Sequence, residues 1–408
     1  MSPRDLVQPD LPHPPGTLPP ARRVPQTWLL TLLMGLGPFS MQIIIPSLPL
    51  LAVLFAVPYA TAQMTLTIYL IGIAVGQLIY GPLSDRFGRR PVLLAGIGIY
   101  LLGSLAALLA PTIGWLMVAR AAQAAGGCAG MVLSRAIIRD VFPRDQAASK
   151  LGFVMMGMTV APMLAPLLGA ELTSAFGWRS VMLACVLFGV ALALLVLRLP
   201  ETLGTPQPLP GLGGMARAYW QLAEMRAFRC YVAITACTTG VFFAFMAGAP
   251  RVIMEGMGHT PRAYAIAFMT ISIAFGAGSF LAGRFSARLG LMRMLHLGLA
   301  GSTAGALLGV VVQAVLPSSL LLFFLPMAIV ALANGVSQPN AVAAAVSARP
   351  QLAGTASGLV GAAQMGWGAV MTLVAGALEL GSGIGTAATM AGCAIGAQLA
   401  LRGARRAA

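Results

Sequence analysis

The sequence predicts an all-α membrane protein: twelve transmembrane helices in two six-helix bundles related by pseudo-symmetry. Three observations carry that expectation. Of the 408 residues, 58% are apolar and 9% charged, about a third of the charged share of a soluble domain. Apolar runs of bilayer length recur twelve times between charged or turn-forming clusters. At roughly 20 residues per span these take about 240 residues, leaving short loops, tails and one longer linker but no second soluble domain. A glycine and arginine pattern also recurs near the half-length of the chain.

The first 25 residues are rich in proline and polar groups and are expected to stay disordered, since they cannot pack a core. Arg22 and Arg23 then precede an apolar run that continues through Pro38, Pro46 and Pro49 without a small-residue cleavage site. It reads as a retained first span, not a signal peptide. The expected spans are 28–52, 62–82, 91–110, 113–136, 149–171, 177–198, 228–250, 263–283, 292–315, 318–345, 353–377 and 383–401. After the sixth comes a segment with several prolines and glycines, 201–214, and then 215–225, whose pattern fits a short interfacial helix. The expected organisation is a tail (1–25), a first bundle (26–199), a cytoplasmic linker (200–227), a second bundle (228–401) and a basic tail (402–408).

Gly81, Arg86 and Gly88 recur 202 residues later as Gly283, Arg288 and Gly290, each set following an even-numbered span. Parallel repeats about an axis along the membrane normal would give that offset. Of the 25 Lys and Arg residues, 21 fall on the side of the N-terminus, Arg179, Arg251 and Arg262 fall opposite, and Arg120 lies inside a span. The positive-inside rule then puts both termini in the cytoplasm. The charge of +15 reports orientation and needs no nucleic-acid partner. The five cysteines lie in or near apolar segments with no C-x-x-C pair, so no metal or redox cofactor is expected. No Ser/His/Asp set, paired carboxylate or metal-spaced His/Cys cluster falls inside the spans, which argues against an enzyme.

The stretch Gly81–Leu93 holds the most specific motif. Gly81, Leu83, Asp85, Arg86, Gly88, Arg89 and Arg90 match the loop between spans two and three of the major facilitator superfamily, which the chain resembles. A carboxylate at a helix C-terminus opposes the helix dipole, so Asp85 needs a partner. The resemblance implies that it meets the N-terminus of span eleven and an arginine ending span four, Arg139 or else Arg135, latching the cytoplasmic side. A solvated turn that only sets topology would use the same charges.

In span five, Gly157, Ala161, Ala165 and Gly169 share one helix face, and Pro162 and Pro166 bend the segment. This resembles the proline and glycine motif of antiporters in the superfamily, and span eight offers a matching face in Ala274, Gly278 and Ala282. Ordinary small-residue packing would look the same. Arg120 and Gln123 resemble the R-x-x-Q-G motif of drug exporters. A cation at the bilayer centre costs at least ~2.5 to 3.5 kcal/mol and is retained for a pathway, although Arg120, about 10 Å from the outer end of its span, also has the reach to snorkel.

Together with Gln63-Met64-Thr65-Leu66, 76–82, Pro46-Ser47-Leu48-Pro49, the two Ala-Pro pairs of span five and 353–357, these motifs resemble the bicyclomycin and chloramphenicol resistance branch. The likeness runs from span one to span eleven. It implies an exporter of small, mostly uncharged or amphipathic molecules in exchange for protons, in the bacterial inner membrane. Membrane lipids are expected around it, and it is expected to act as a monomer. One departure matters: Gln42 stands where that branch usually carries a proton-coupling Asp, and Gln does not exchange protons near neutral pH. Coupling through Asp85 or the span-end acids, uncoupled facilitation, and a role without transport all remain open, as does a nutrient carrier of the same fold. Candidates for lining a midplane cavity are Gln42, Tyr69, Gln77, Gln123, Asn334, Gln338, Asn340, Gln364 and Trp367.

Overall fold

A computed structural model describes residues 26–142, 144–203, 212–316, 319–349, 352–379 and 381–405. The tail expected over 1–25, the centre of the linker and 406–408 lie outside the described residues. Among the described residues the structure is helical, with no strand.

Span one, Thr27–Leu54, is two helices, Thr27–Gln42 and Leu48–Leu54, joined by a 3₁₀ turn at Ile45–Ser47. Pro46 and Pro49 cause the break, because each lacks an N–H and crowds the preceding turn. Spans two to six are Tyr59–Phe87, Arg89–Leu108, Ile113–Val141, Arg144–Phe176 and Trp178–Val196. Span seven, Arg226–Arg251, runs on into a π-helical turn at Val252–Gly256. Spans eight to twelve are Pro261–Leu289, Leu291–Val315, Leu320–Ser347, Ala353–Leu378 and Ile384–Arg405. Eleven of these are long and apolar enough to cross a membrane, and span five carries the apolar stretch Val160–Phe176. Large apolar side chains such as Leu102, Val118, Leu187, Leu194, Phe280, Leu297 and Leu321 stand exposed; a bilayer, not water, is the solvent that tolerates such a surface. The chain is a multi-pass membrane protein.

The packing repeats with the sequence. Span one lies against four and five, span two against four, and span three against four and six; seven lies against ten and eleven, eight against ten, and nine against ten and twelve. The bundles meet through spans two and eleven and through five and eight, which exchange under the same operation. Gly88 (φ 98°, ψ 152°) and Gly290 (φ 83°, ψ 147°) end the equivalent spans two and eight in the same left-handed turn, a conformation open to glycine without a Cβ clash.

Hydropathy placed the ends of several helices too early. Span two continues to Phe87 and span four to Val141, so Asp85, Arg86 and Arg139 ride on final helical turns and not in loops. Helical hydrogen bonding continues after the sequence turns polar, and at Gly88 it stops where the backbone reverses. The linker helix, Leu212–Glu224, tucks Leu222 into an apolar cluster with Phe228, Ala345, Ala356 and Val360, while Trp220 is exposed.

Candidate functional site

Functional side chains gather at the arginine-rich end, inside each bundle, in the seam between the bundles and at the opposite end. At the arginine-rich end, Arg89 opens span three and is buried to 6% exposure. Its guanidinium meets Asp85 at 2.6 Å, the Ser84 hydroxyl at 2.6 Å and Asp140 of span four at 2.7 Å. Asp85 therefore finds its cation one turn away. Of the arginines named for it, Arg139 is exposed and Arg135 donates to Met131 O of its own helix at 3.0 Å. Asp140, not an arginine, is what span four contributes. Arg86 packs on the Phe87 ring, 5.5 Å from its centroid.

Sequence reasoning missed Glu201, just beyond span six. Its carboxylate accepts the backbone N–H groups of Arg89 (2.9 Å), Arg90 (3.1 Å), Thr202 (2.8 Å) and Leu203 (2.9 Å), capping span three, whose N-cap Gly88 has no side chain to do so. The Arg90 guanidinium adds a bond to Leu197 O at 2.6 Å. A Cβ on Gly88 would sit 2.6 Å from the Glu201 carboxylate, so that glycine admits the acid as well as the turn. Burial raises the Glu201 carboxyl, but the N–H groups of Leu203, Arg89, Arg90 and Thr202 outweigh it and hold the group below its ordinary value. An acid directly following Pro200 at the end of an apolar run was the available signal.

Inside the first bundle, Arg120 is fully buried and does not snorkel. Its Nη1 donates to Ser40 O at 2.8 Å and to Gln123 Oε1 at 2.5 Å, and its guanidinium lies over the Tyr69 ring, 4.1 Å from the centroid. Gln123 Nε2 donates to the Ser104 hydroxyl at 2.8 Å, Tyr69 donates to Gly37 O at 3.1 Å, and Tyr100 and Ser40 share a hydrogen bond of 2.6 Å. Nε and Nη2 of Arg120, and Oε1 of Gln42, are buried without a partner.

The residues named for one cavity divide. Gln123 and Tyr69 belong to the Arg120 cluster. In the second bundle Asn334 donates to Thr238 O at 3.2 Å and Gln338 to the Thr239 hydroxyl at 2.8 Å, whereas Asn340 turns back to Val336 O of its own helix. Gln364 is half-buried, and Trp367 packs at Gly240 of span seven. Gln77 lies in a seam between the bundles, with its side chain at Gly361 of span eleven. Thr67 shares a 2.6 Å hydrogen bond with Thr372 in that seam, and Gln63 donates to Thr372 O.

Away from the arginine-rich end the bundles are tied together. Tyr59 donates to Ala247 O at 2.8 Å and lies beneath the Arg251 guanidinium. Glu171 of span five pairs with Arg262 at the start of span eight at 2.9 Å. Arg251 reaches Glu379 O at 2.6 Å, and the fully buried Glu379 carboxylate accepts from Gly381, Gly383 and Thr386, capping span twelve. Among the described residues no salt bridge or side-chain hydrogen bond joins the two bundles at the arginine-rich end.

Spans five and eight are in contact, but the described glycines of their small faces turn toward their own bundles. Gly169 abuts Ile43 O of span one and Gly278 abuts Leu332 O of span ten, so each lets a helix of its own bundle approach. Ala165 and Pro166 are buried, and Ala161 and Pro162 half-buried; the surroundings of Gly157 lie outside the described residues.

Residues 30–372 match the family model described as the Major Facilitator Superfamily. The chain is 30% identical over 372 residues to the bicyclomycin resistance protein homolog of Haemophilus influenzae, covering 90% of this chain and 92% of that one. It is 31% identical over 320 residues to a chloramphenicol resistance protein of Pseudomonas aeruginosa, covering 77% and 73%. Among solved structures it is similar in fold to a bacterial homolog of the human lysosomal transporter Spinster, in an inward-facing, unoccupied conformation, with TM-score 0.72, 17% identity and coverage of 93% and 96%.

Proposed function

Because this chain belongs to the major facilitator superfamily, we propose that it is a secondary transporter exporting small drug-like or amphipathic molecules across the bacterial inner membrane in exchange for protons. The observation that carries the reading is the one-sided closure. Polar ties between the bundles lie away from the arginine-rich end, as one state of an alternating-access carrier requires, with the substrate path opening at the other end. Relatives named for bicyclomycin and chloramphenicol resistance, similar over most of this chain, favour export of such compounds.

In this reading the arginine-rich end and both termini face the cytoplasm, 26–199 and 228–401 are the rocking bundles, 200–227 links them, and a lipid-embedded monomer suffices. Asp85, Arg89 and Asp140 form the cytoplasmic charge cluster, with Arg86, Arg90, Arg135 and Arg139 around it. Span five acts as the antiporter helix through Gly157, Ala161, Pro162, Ala165, Pro166 and Gly169. Tyr69, Gln77, Gln123, Asn334, Gln338, Gln364 and Trp367 line or border the path. Gln42, neutral where coupling would place an acid, favours a second reading, an uncoupled facilitator.

The test is efflux of a chloramphenicol-like panel from cells expressing wild type or Gln42→Asp, with and without a protonophore. Export predicts lower accumulation with wild type than with vector, and no reduction by either variant refutes it. Wild-type efflux indifferent to the protonophore selects the facilitator, and protonophore sensitivity gained only in Gln42→Asp locates the absent acid.

A further inference from the structure

Arg120 is the one cation the sequence places inside a span, and the fold leaves two of its nitrogens, with three N–H groups between them, without acceptors. A guanidinium carries five N–H groups. Those on Nη1 serve Ser40 O and Gln123 Oε1, whereas Nε and Nη2 are buried and unpartnered. Nε–H and Nη2–H share one edge of the planar group and point in parallel, the arrangement that takes both oxygens of a single carboxylate.

The neighbours do not fill that edge. Tyr69 presents its ring face and commits its hydroxyl to Gly37 O; the Ser40 and Tyr100 hydroxyls bond one another; Gln123 is held by Ser104. No acid supplies the charge either. Asp5 and Asp10 precede the first span, and Asp85, Asp140, Asp145, Glu171, Glu201, Glu224, Glu255 and Glu379 sit at span ends or beyond them.

We propose that this edge of Arg120 docks a carboxylate of the transported molecule, so that the preferred substrates are amphipathic organic acids. The proposal rests on the exporter reading and names its substrate class. A guanidinium keeps its proton throughout the working pH range, so no titration discharges this site. An anion is what neutralises it, and a ligand arriving with its own negative charge and two oxygens meets Nε–H and the parallel Nη2–H at once. A cationic drug meets only repulsion there.

The test uses the full-length protein in nanodiscs and three matched probes: 4-phenylbutyrate, 4-phenylbutyramide and 4-phenylbutylamine. Calorimetry is expected to show the carboxylate binding at least about tenfold more tightly than the amide or the amine. Arg120→Lys, which keeps the charge but loses the parallel fork, is expected to weaken the carboxylate by a similar factor, and Arg120→Gln to abolish its binding. Equal binding of carboxylate and amide by wild type overturns the proposal, and that comparison needs no variant to fold. Chloride and inorganic phosphate run alongside; displacement of the probe by either at matched concentration makes this an inorganic-ion site and also overturns it. Cell efflux separates the proposal from the reading beneath it. Neutral drugs expelled while no carboxylate binds leave export standing and remove the site. Carboxylate bound but not expelled, beside neutral drugs that are, overturns the substrate assignment and leaves export standing; carboxylate bound while neither it nor any panel drug is expelled removes export.

Discussion

Replacing Glu201 by alanine removes a carboxylate that accepts four backbone N–H groups within 3.1 Å, two of them, Arg89 and Arg90, at the start of span three. A helix cap contributes about 0.5–2 kcal/mol, and a negative charge at a helix N-terminus about 0.3–1 kcal/mol more. The bonds to Thr202 and Leu203 close a local loop near water and add little. The expected loss is about 1–3 kcal/mol. For a cooperative unit of bundle size, at about 2–4 °C per kcal/mol, the thermal midpoint of the purified protein should fall by about 2–12 °C. Glu201→Gln keeps one acceptor oxygen without the charge and should fall between wild type and alanine. Hydrogen exchange reports the site directly: the Arg89 and Arg90 amides should exchange about tenfold faster for each 1.4 kcal/mol lost, with span nine unaffected. An alanine variant with the wild-type midpoint and unchanged exchange at both amides would refute the cap and the link it makes between spans three and six.

The same carboxyl sets a pH dependence. Its folded pKa lies below the ordinary 4.5, so its contribution is complete above that value and disappears as pH falls through the folded one; the midpoint gap between wild type and Glu201→Gln should be widest near neutrality and close in acid. Gly169→Ala places a Cβ against Ile43 O, and such overpacking costs about 1–3 kcal/mol; melting should fall and efflux drop, while Gly98→Ala, which has open space, leaves both unchanged. Cysteines introduced as Glu171→Cys and Arg262→Cys, in a background lacking the five native cysteines, should be bridged by a bifunctional methanethiosulfonate whose spacer replaces the length of the two native side chains, which meet at 2.9 Å. Cross-linking should stop efflux and reductant restore it; transport that continues with the link intact means this contact does not open during the cycle.

Charge clusters and local periodicity were enough for the helix count, the duplication and the glycine turn at Gly88, though not for the helical turns that carry Asp85 and Arg86. Twelve apolar runs became twelve spans because a bilayer demands internally hydrogen-bonded segments of nearly constant length, and the Gly88 and Gly290 echo became two copies of one turn. Partner choice was not legible, because it depends on distances between residues far apart in the chain. Asp85 took Arg89 in place of Arg139, Asp140 supplied the contact from span four, and Glu201 reached back 112 residues to Arg89. Nine polar residues that read as one cavity separated into two bundle interiors, a seam and an inward turn on their own helix, because rotation about each helix axis decides where a side chain points and packing sets that rotation. The unpaired edge of Arg120 belongs to the same class of fact. A sequence can place a cation inside the membrane; only the folded neighbours decide which of its donors are left to bind something else.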